Sequence, residues 1–119
     1  MNFWKVKRGN TSIQEIPVYN KKRKLIEDLD DVETATFVVK EKRDGAALIT
    51  KTKDDGIEVD EPSPGHLTIT LDPKDTDLPA RKYFMALELL WSSGKKYEVI
   101  FKIDGQESEM MEILPQIIL

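Results

Sequence analysis

The sequence predicts an all-β fold, an antiparallel, immunoglobulin-like β-sandwich of about seven to nine short strands. Three observations predict it. Two separate runs alternate strictly between apolar and polar residues, which is the period of a half-buried strand. Their outward positions carry β-branched residues, where a helix would favour Glu, Lys or Ala. Turn-forming residues then recur about every 8–12 positions along the chain.

The elements follow in order. Ser12–Val18 reads as a strand and Lys24–Leu29 as a poorer one. Thr34–Lys40 is strongly patterned, with Ala35, Phe37 and Val39 facing inward. Asp44-Gly45 turns it into Ala47–Lys51, because Asp-Gly tolerates the positive φ of a tight hairpin. Asp54-Asp55-Gly56 and Pro62-Ser63-Pro64-Gly65 bracket the short strand Ile57–Asp60. His66–Leu71 places Leu67, Ile69 and Leu71 on one face and Thr68 and Thr70 on the other. Asp72-Pro73-Lys74-Asp75 has a capping residue before a proline, which starts one short helical turn near residues 73–78. Pro79 stops that turn, and Leu78 plugs an end of the sandwich.

Arg81–Trp91 and Lys95–Ile103, joined by Ser92-Ser93-Gly94, form a long hairpin at the centre of the core. Tyr83, Met85, Leu87, Leu89 and Trp91 share one face of the first arm, and Tyr97, Val99, Phe101 and Ile103 one face of the second. Leu87, Leu90 and Trp91 also fit a 3.6 spacing, but arms of matched length favour strands. Glu109–Leu114 supplies a last strand.

Residues 1–119 make a single domain, long enough to bury a core without disulfides, and the chain holds no cysteine and one histidine, His66. No Ser-His-Asp triad, thiolate or Cys-ligated metal accompanies that histidine, so the expectation is no catalytic residue, no cofactor and no metal. Asp54, Asp55, Asp60 and Glu61 lack EF-hand spacing and read as a solvated rim. Glu88 and Glu98 read as outward residues of the long hairpin, with Lys96 or Lys102 across from Glu88. No run is apolar enough to cross a membrane, and charge rather than an apolar stretch follows Met1–Lys5, so neither a membrane partner nor a signal peptide is expected.

The net charge is −4, which argues against nucleic acid as a partner. Its distribution is uneven. Lys5, Lys7, Arg8, Lys21, Lys22, Arg23 and Lys24 stand against Glu15 alone in residues 1–24, a net +6 that leaves −10 for the remainder. A basic beginning and an acidic remainder suit head-to-tail association of copies. The ends, residues 1–4 and 113–119, are apolar and need cover from the domain or from a neighbour. Pro115 excludes a central ladder position there. The expected protein-interaction residues are therefore Phe3, Trp4, Lys21, Lys22, Arg23, Lys24, Ile117, Ile118 and Leu119. A carbohydrate-binding sandwich, with Trp91, Tyr83 or Tyr97 stacked on a sugar, is the alternative, and strand capture at a free sheet edge is a third.

Lys7-Arg8-Gly9-Asn10-Thr11, Asp28-Leu29-Asp30-Asp31 leading into Thr34–Lys40, Asp55-Gly56-Ile57-Glu58-Val59, Gly65-His66-Leu67-Thr68-Ile69, and Asp75-Thr76-Asp77-Leu78-Pro79 before Tyr83 follow one another in an order that resembles the N-terminal domain of bacteriophage baseplate upper proteins. The resemblance spans nearly the whole chain. Asn10 stands where that family usually has Asp, Asp30-Asp31 replaces Thr-Gly, one residue near Glu33 is extra, and Arg81-Lys82 replaces a Gly before the Tyr. The resemblance implies a β-sandwich that acts as a structural or adaptor part of a phage or prophage tail or baseplate. It would be made in the bacterial cytoplasm, be found in the virion, form a homo-oligomer and dock to other tail or baseplate proteins.

Overall fold

The structure is a computed structural model that describes residues 4–18, 29, 32–60, 65–94, 96–99, 101–103 and 106–115, the backbone alone for 101–103 and 106–108. The strands are β1 (Trp4–Lys7), β2 (Ser12–Pro17), β3 (Val32–Lys40), β4 (Ala47–Lys53), β5 (Gly56–Val59), β6 (His66–Leu71), β7 (Lys82–Trp91), β8 (Lys96–Val99), β9 (Phe101–Ile103), β10 (Gln106–Ser108) and β11 (Met110–Leu114). Nine of them form one sheet in the order β1-β11-β7-β3-β4-β5-β6-β2, with β8 also on β7. It curls into a nearly closed barrel, and β9 and β10 pair separately.

The all-β expectation holds, and two parts of it are corrected. In place of two antiparallel sheets packed face to face there is one mixed sheet, because β1 runs parallel to β11 and β5 parallel to β4. Alternation reports that a strand is half-buried; it does not report whether the apolar face is covered by a second sheet or by curling of its own. The second correction concerns residues 73–78, where no helix forms. Thr76 N–H reaches Asp72 O at 3.3 Å, but Leu78 N–H turns back to Thr76 O at 2.8 Å, so the ladder ends after one turn.

The inward phases are those of the sequence pattern. Ala35, Phe37 and Val39 of β3, Leu67, Ile69 and Leu71 of β6, and Tyr83, Met85, Leu87 and Leu89 of β7 are all buried. β3 runs antiparallel to β7 along its length, with an irregularity between Val32 and Thr34 that leaves Glu33 as the extra residue. The Lys42–Gly45 turn is closed by Gly45 N–H to Lys42 O at 2.9 Å, and Gly45 takes its fourth position without positive φ.

The long hairpin is shorter than its sequence suggests. β8 pairs with β7 from Leu87↔Val99 to Leu90↔Lys96, whereas Met110, Met111 and Glu112 of β11 lie opposite Phe84, Tyr83 and Lys82. Strands β8 and β11 therefore lie in one line along β7. Between these two pairings, Met85 and Ala86 have no ladder partner on that side, and β9 and β10 pair with each other rather than with β7. The side chains of Phe101 and Ile103 lie outside the described residues, as does the run Lys24–Asp28.

Candidate docking surface

Among the residues expected to dock, Trp4 is placed inside the barrel. It is 3% exposed, lies 5.7 Å from the Phe37 ring, and donates from Nε1 to Ser12 Oγ at 2.9 Å. The apolar C-terminal stretch is likewise taken up as far as Leu114, since β11 lies between β1 and β7 and Ile113 is 1% exposed. Pro115 follows the last ladder pair, Lys7↔Leu114, and so interrupts no ladder. Phe3, Lys21, Lys22, Arg23, Lys24, Ile117, Ile118 and Leu119 lie outside the described residues.

The exposed apolar surface that the structure does describe lies elsewhere, on the outer face of β4, β3 and β7. Thr50, Val38 and Ala86 are cross-strand neighbours there, and Phe84 lies beside Ala86 opposite Lys40. Val38, Phe84 and Ala86 are half-buried and line a dimple of about 140 Å3 with Lys40, Arg43, Glu98 and Glu109. Leu48, 47% exposed, borders this row. Arg43 rests 4.6 Å from the centre of the Phe84 ring and makes a two-pronged ion pair with Glu109, Nη1 to Oε2 at 3.1 Å. Arg81 and Glu41 form a second exposed pair at 2.7 Å. An apolar strip rimmed by both signs of charge is the composition of a protein-docking surface.

The next row of that face carries a correction. Glu88 lies opposite Glu98, not opposite a lysine; Lys96 lies opposite Leu90, and Thr36 flanks Glu88 on the β3 side. Both glutamates are exposed. Like charges directly opposite on adjacent strands repel, so the pair disfavours the isolated sheet.

Sequence reasoning missed Lys51. It occupies the inward phase of β4 after Ile49, is 6% exposed, and directs Nζ to Asp75 at 2.6 Å and Asp72 at 3.6 Å. Burial alone would lower its pKa, but the hydrogen bond and charge of Asp75, then the charges of Asp72 and Asp55, outweigh that and hold it above 10.5. The signal was available in the alternation Ile49, Lys51, Lys53, which puts a lysine where a core side chain belongs. A cleft of about 400 Å3 opens beside it, lined by Asp54, Asp55, Glu58 and Asp72. Gly56 lets the lysine lie flat: at φ +100° any side chain is strained, and its Cβ would come within 2.6 Å of Lys51 Cδ and displace the lysine stem.

Through Asp75, Lys51 anchors the 72–78 turn, and the same turn holds the β1–β2 connection. Thr76 Oγ1 donates to Asn10 O at 2.8 Å, Gly9 N–H donates to Thr76 O at 3.3 Å, and Arg8 pairs with Asp77 at 3.0 Å. Leu78 packs half-buried against the core.

The remaining residues singled out have structural surroundings. Tyr83 is buried, with its hydroxyl donating to Pro79 O at 2.7 Å, while Trp91 and Tyr97 pack half-buried against the core. His66 opens β6 opposite Pro17. Asp60 is no member of a solvated rim: at φ +58° its carboxylate accepts Leu29 N–H at 2.8 and 3.0 Å and Gly65 N–H at 3.0 Å. Among the described residues no group of His, Cys, Asp and Glu could hold a metal ion. Comparison with family models, with curated proteins and with solved structures found no match.

Proposed function

We propose that the chain is a non-enzymatic structural or adaptor component of a phage or prophage tail or baseplate, working by protein–protein docking and self-assembly. The observation that carries the docking part is the outer face of β4, β3 and β7, where Leu48, Val38, Phe84 and Ala86 form an apolar strip with the Arg43–Glu109 and Arg81–Glu41 pairs around it. Exposed apolar sheet faces of this kind gain from being covered, because each buried apolar area leaves water while the charged rim fixes orientation. The tail or baseplate context comes from the ordered motifs from Lys7 to Tyr83.

Sugar binding is the weaker reading, since Tyr83 is 1% exposed and offers no ring face, and Trp91 and Tyr97 are packed against the core. Native mass spectrometry of the full chain, alone and with tail and baseplate proteins of a phage whose genome encodes it, tests the proposal. The expected result is a defined oligomer or a stoichiometric complex with one of those proteins. A strict monomer at high concentration that retains none of them contradicts it.

A further inference from the structure

The net charge of +6 in residues 1–24 and −10 in the remainder leaves open which part of the acidic remainder a basic segment would meet. We infer that the outer face of β3, β7 and β8 receives the basic N-terminal stretch of a second copy of this chain, with Glu88 and Glu98 facing the incoming cations. The inference rests on the docking function proposed above and names the partner and the residues that select it.

Three observations support this face. Glu88 and Glu98 are direct cross-strand partners, both are exposed, and neither forms an ion pair with another described residue, so no salt bridge among those residues offsets their repulsion. A cation from outside would remove that repulsion and gain a charge-assisted contact. The neighbouring row offers Val38 and Ala86, beside the Phe84-lined dimple whose Arg43 is engaged by Glu109, and these suit the alkyl stems of Lys and Arg side chains. On the other partner, Trp4 and Val6 face inward in β1, so Lys5 and Lys7 of the same strand are exposed on its outer side. Lys21, Lys22, Arg23 and Lys24 add four more positive charges shortly after in the sequence.

The other concentration of acids, Asp54, Asp55, Glu58 and Asp72 around the Lys51 cleft, is the poorer receiver. Its acids surround a buried lysine bonded to Asp75, and its apolar lining residue, Ile57, is fully buried and offers no surface to an alkyl stem. The two faces give the test its comparison. Because donor and receiver are different surfaces of one chain, the contact is heterologous, and its repetition produces a ring or an open stack according to the rotation between copies.

Sedimentation equilibrium of the full chain at low and at high salt, for the natural protein, for Glu88→Gln with Glu98→Gln, and for Glu58→Gln, decides the matter. Glu88, Glu98 and Glu58 are exposed, so these amides leave the fold intact, which near-ultraviolet circular dichroism checks. The expected result is self-association that weakens by about tenfold at high salt and by about tenfold in the double variant, with Glu58→Gln unchanged. Equal association of the double variant and the natural protein overturns the inference, and so does equal weakening by Glu58→Gln, which would signify diffuse attraction. Either result leaves self-assembly, and with it the docking function, in place. A natural chain that is monomeric at low salt overturns it as well; retention by a tail protein in native mass spectrometry then separates loss of this inference from loss of the docking function.

Discussion

At the scale of single residues, Lys51 is a buried cation held by the carboxylates of Asp75 and Asp72. It is one of two buried polar or charged side chains among the described residues, the other being Thr76, and both serve the 72–78 turn. Removing the ammonium leaves Asp75 and Asp72 facing each other without a cation, so Lys51→Met is expected to lower unfolding stability by about 1–2 kcal/mol, discounted because Asp72 is half exposed. Chemical denaturation at neutral pH measures this. The pH dependence has a definite sign. With its folded-state pKa above 10.5, Lys51 contributes stability that is complete below pH 10.5 and is lost as pH rises through the higher folded value. Tyr83, raised above 10.0 chiefly by burial, loses its contribution in the same direction. The denaturation midpoint is therefore expected to fall on the alkaline side, less steeply in Lys51→Met than in the natural protein. Gly56→Ala is expected to destabilise by about 1–3 kcal/mol, because it adds a positive-φ strain to a clash with the Lys51 stem.

At the scale of elements, the strands were legible in the sequence and their neighbours were not. β3, β6 and β7 carry alternation strong enough to fix which side chains face inward, and Phe37, Ile69 and Leu87 are all fully buried as that pattern requires. Nothing in alternation specifies a partner several strands away, so the parallel seat of β1 on β11 and the division of the second hairpin arm between β8 and β9 came only with the tertiary structure. The same gap explains Trp4. An aromatic near a chain end looks like a docking residue until β1 is seen beside β11, where Trp4 and Val6 complete the core that Met111 and Ile113 begin. The outer-face site was half legible: Glu88 and Glu98 were placed outward, but their facing each other depends on the β7–β8 register. A testable consequence follows for truncation. Deleting residues 1–7 removes Trp4 and Val6 from the core and is expected to cost about 4 kcal/mol or more, lowering the melting temperature by over about 10 °C in a calorimetric scan. An unchanged melting temperature would mean that β1 is dispensable to the barrel.

At the scale of the whole molecule, one curled sheet buries most of the described side chains on its concave side, with Val59, Trp91 and Tyr97 half-buried, and leaves its convex side to solvent or to partners. The charged pairs Arg43–Glu109 and Arg81–Glu41 connect the Glu41–Arg43 segment after β3 to the ends of β7 and β11, so the apolar strip lies on the most extensively paired part of the sheet. A rigid platform of this kind loses little conformational freedom on association, which favours affinity. Among the described residues Ile13, 61% exposed on β2, is the other large hydrophobic left open, and it stands on a terminal strand of the sheet order away from that strip. The docking surface is tested most directly by size-exclusion chromatography with light scattering on the natural chain and on Leu48→Asp, a change at an exposed position, with near-ultraviolet circular dichroism on both. The expected result is an oligomer for the natural chain and a monomer for Leu48→Asp, with superimposable spectra. The same oligomer for both proteins would contradict a docking role for the outer face of β4, β3 and β7.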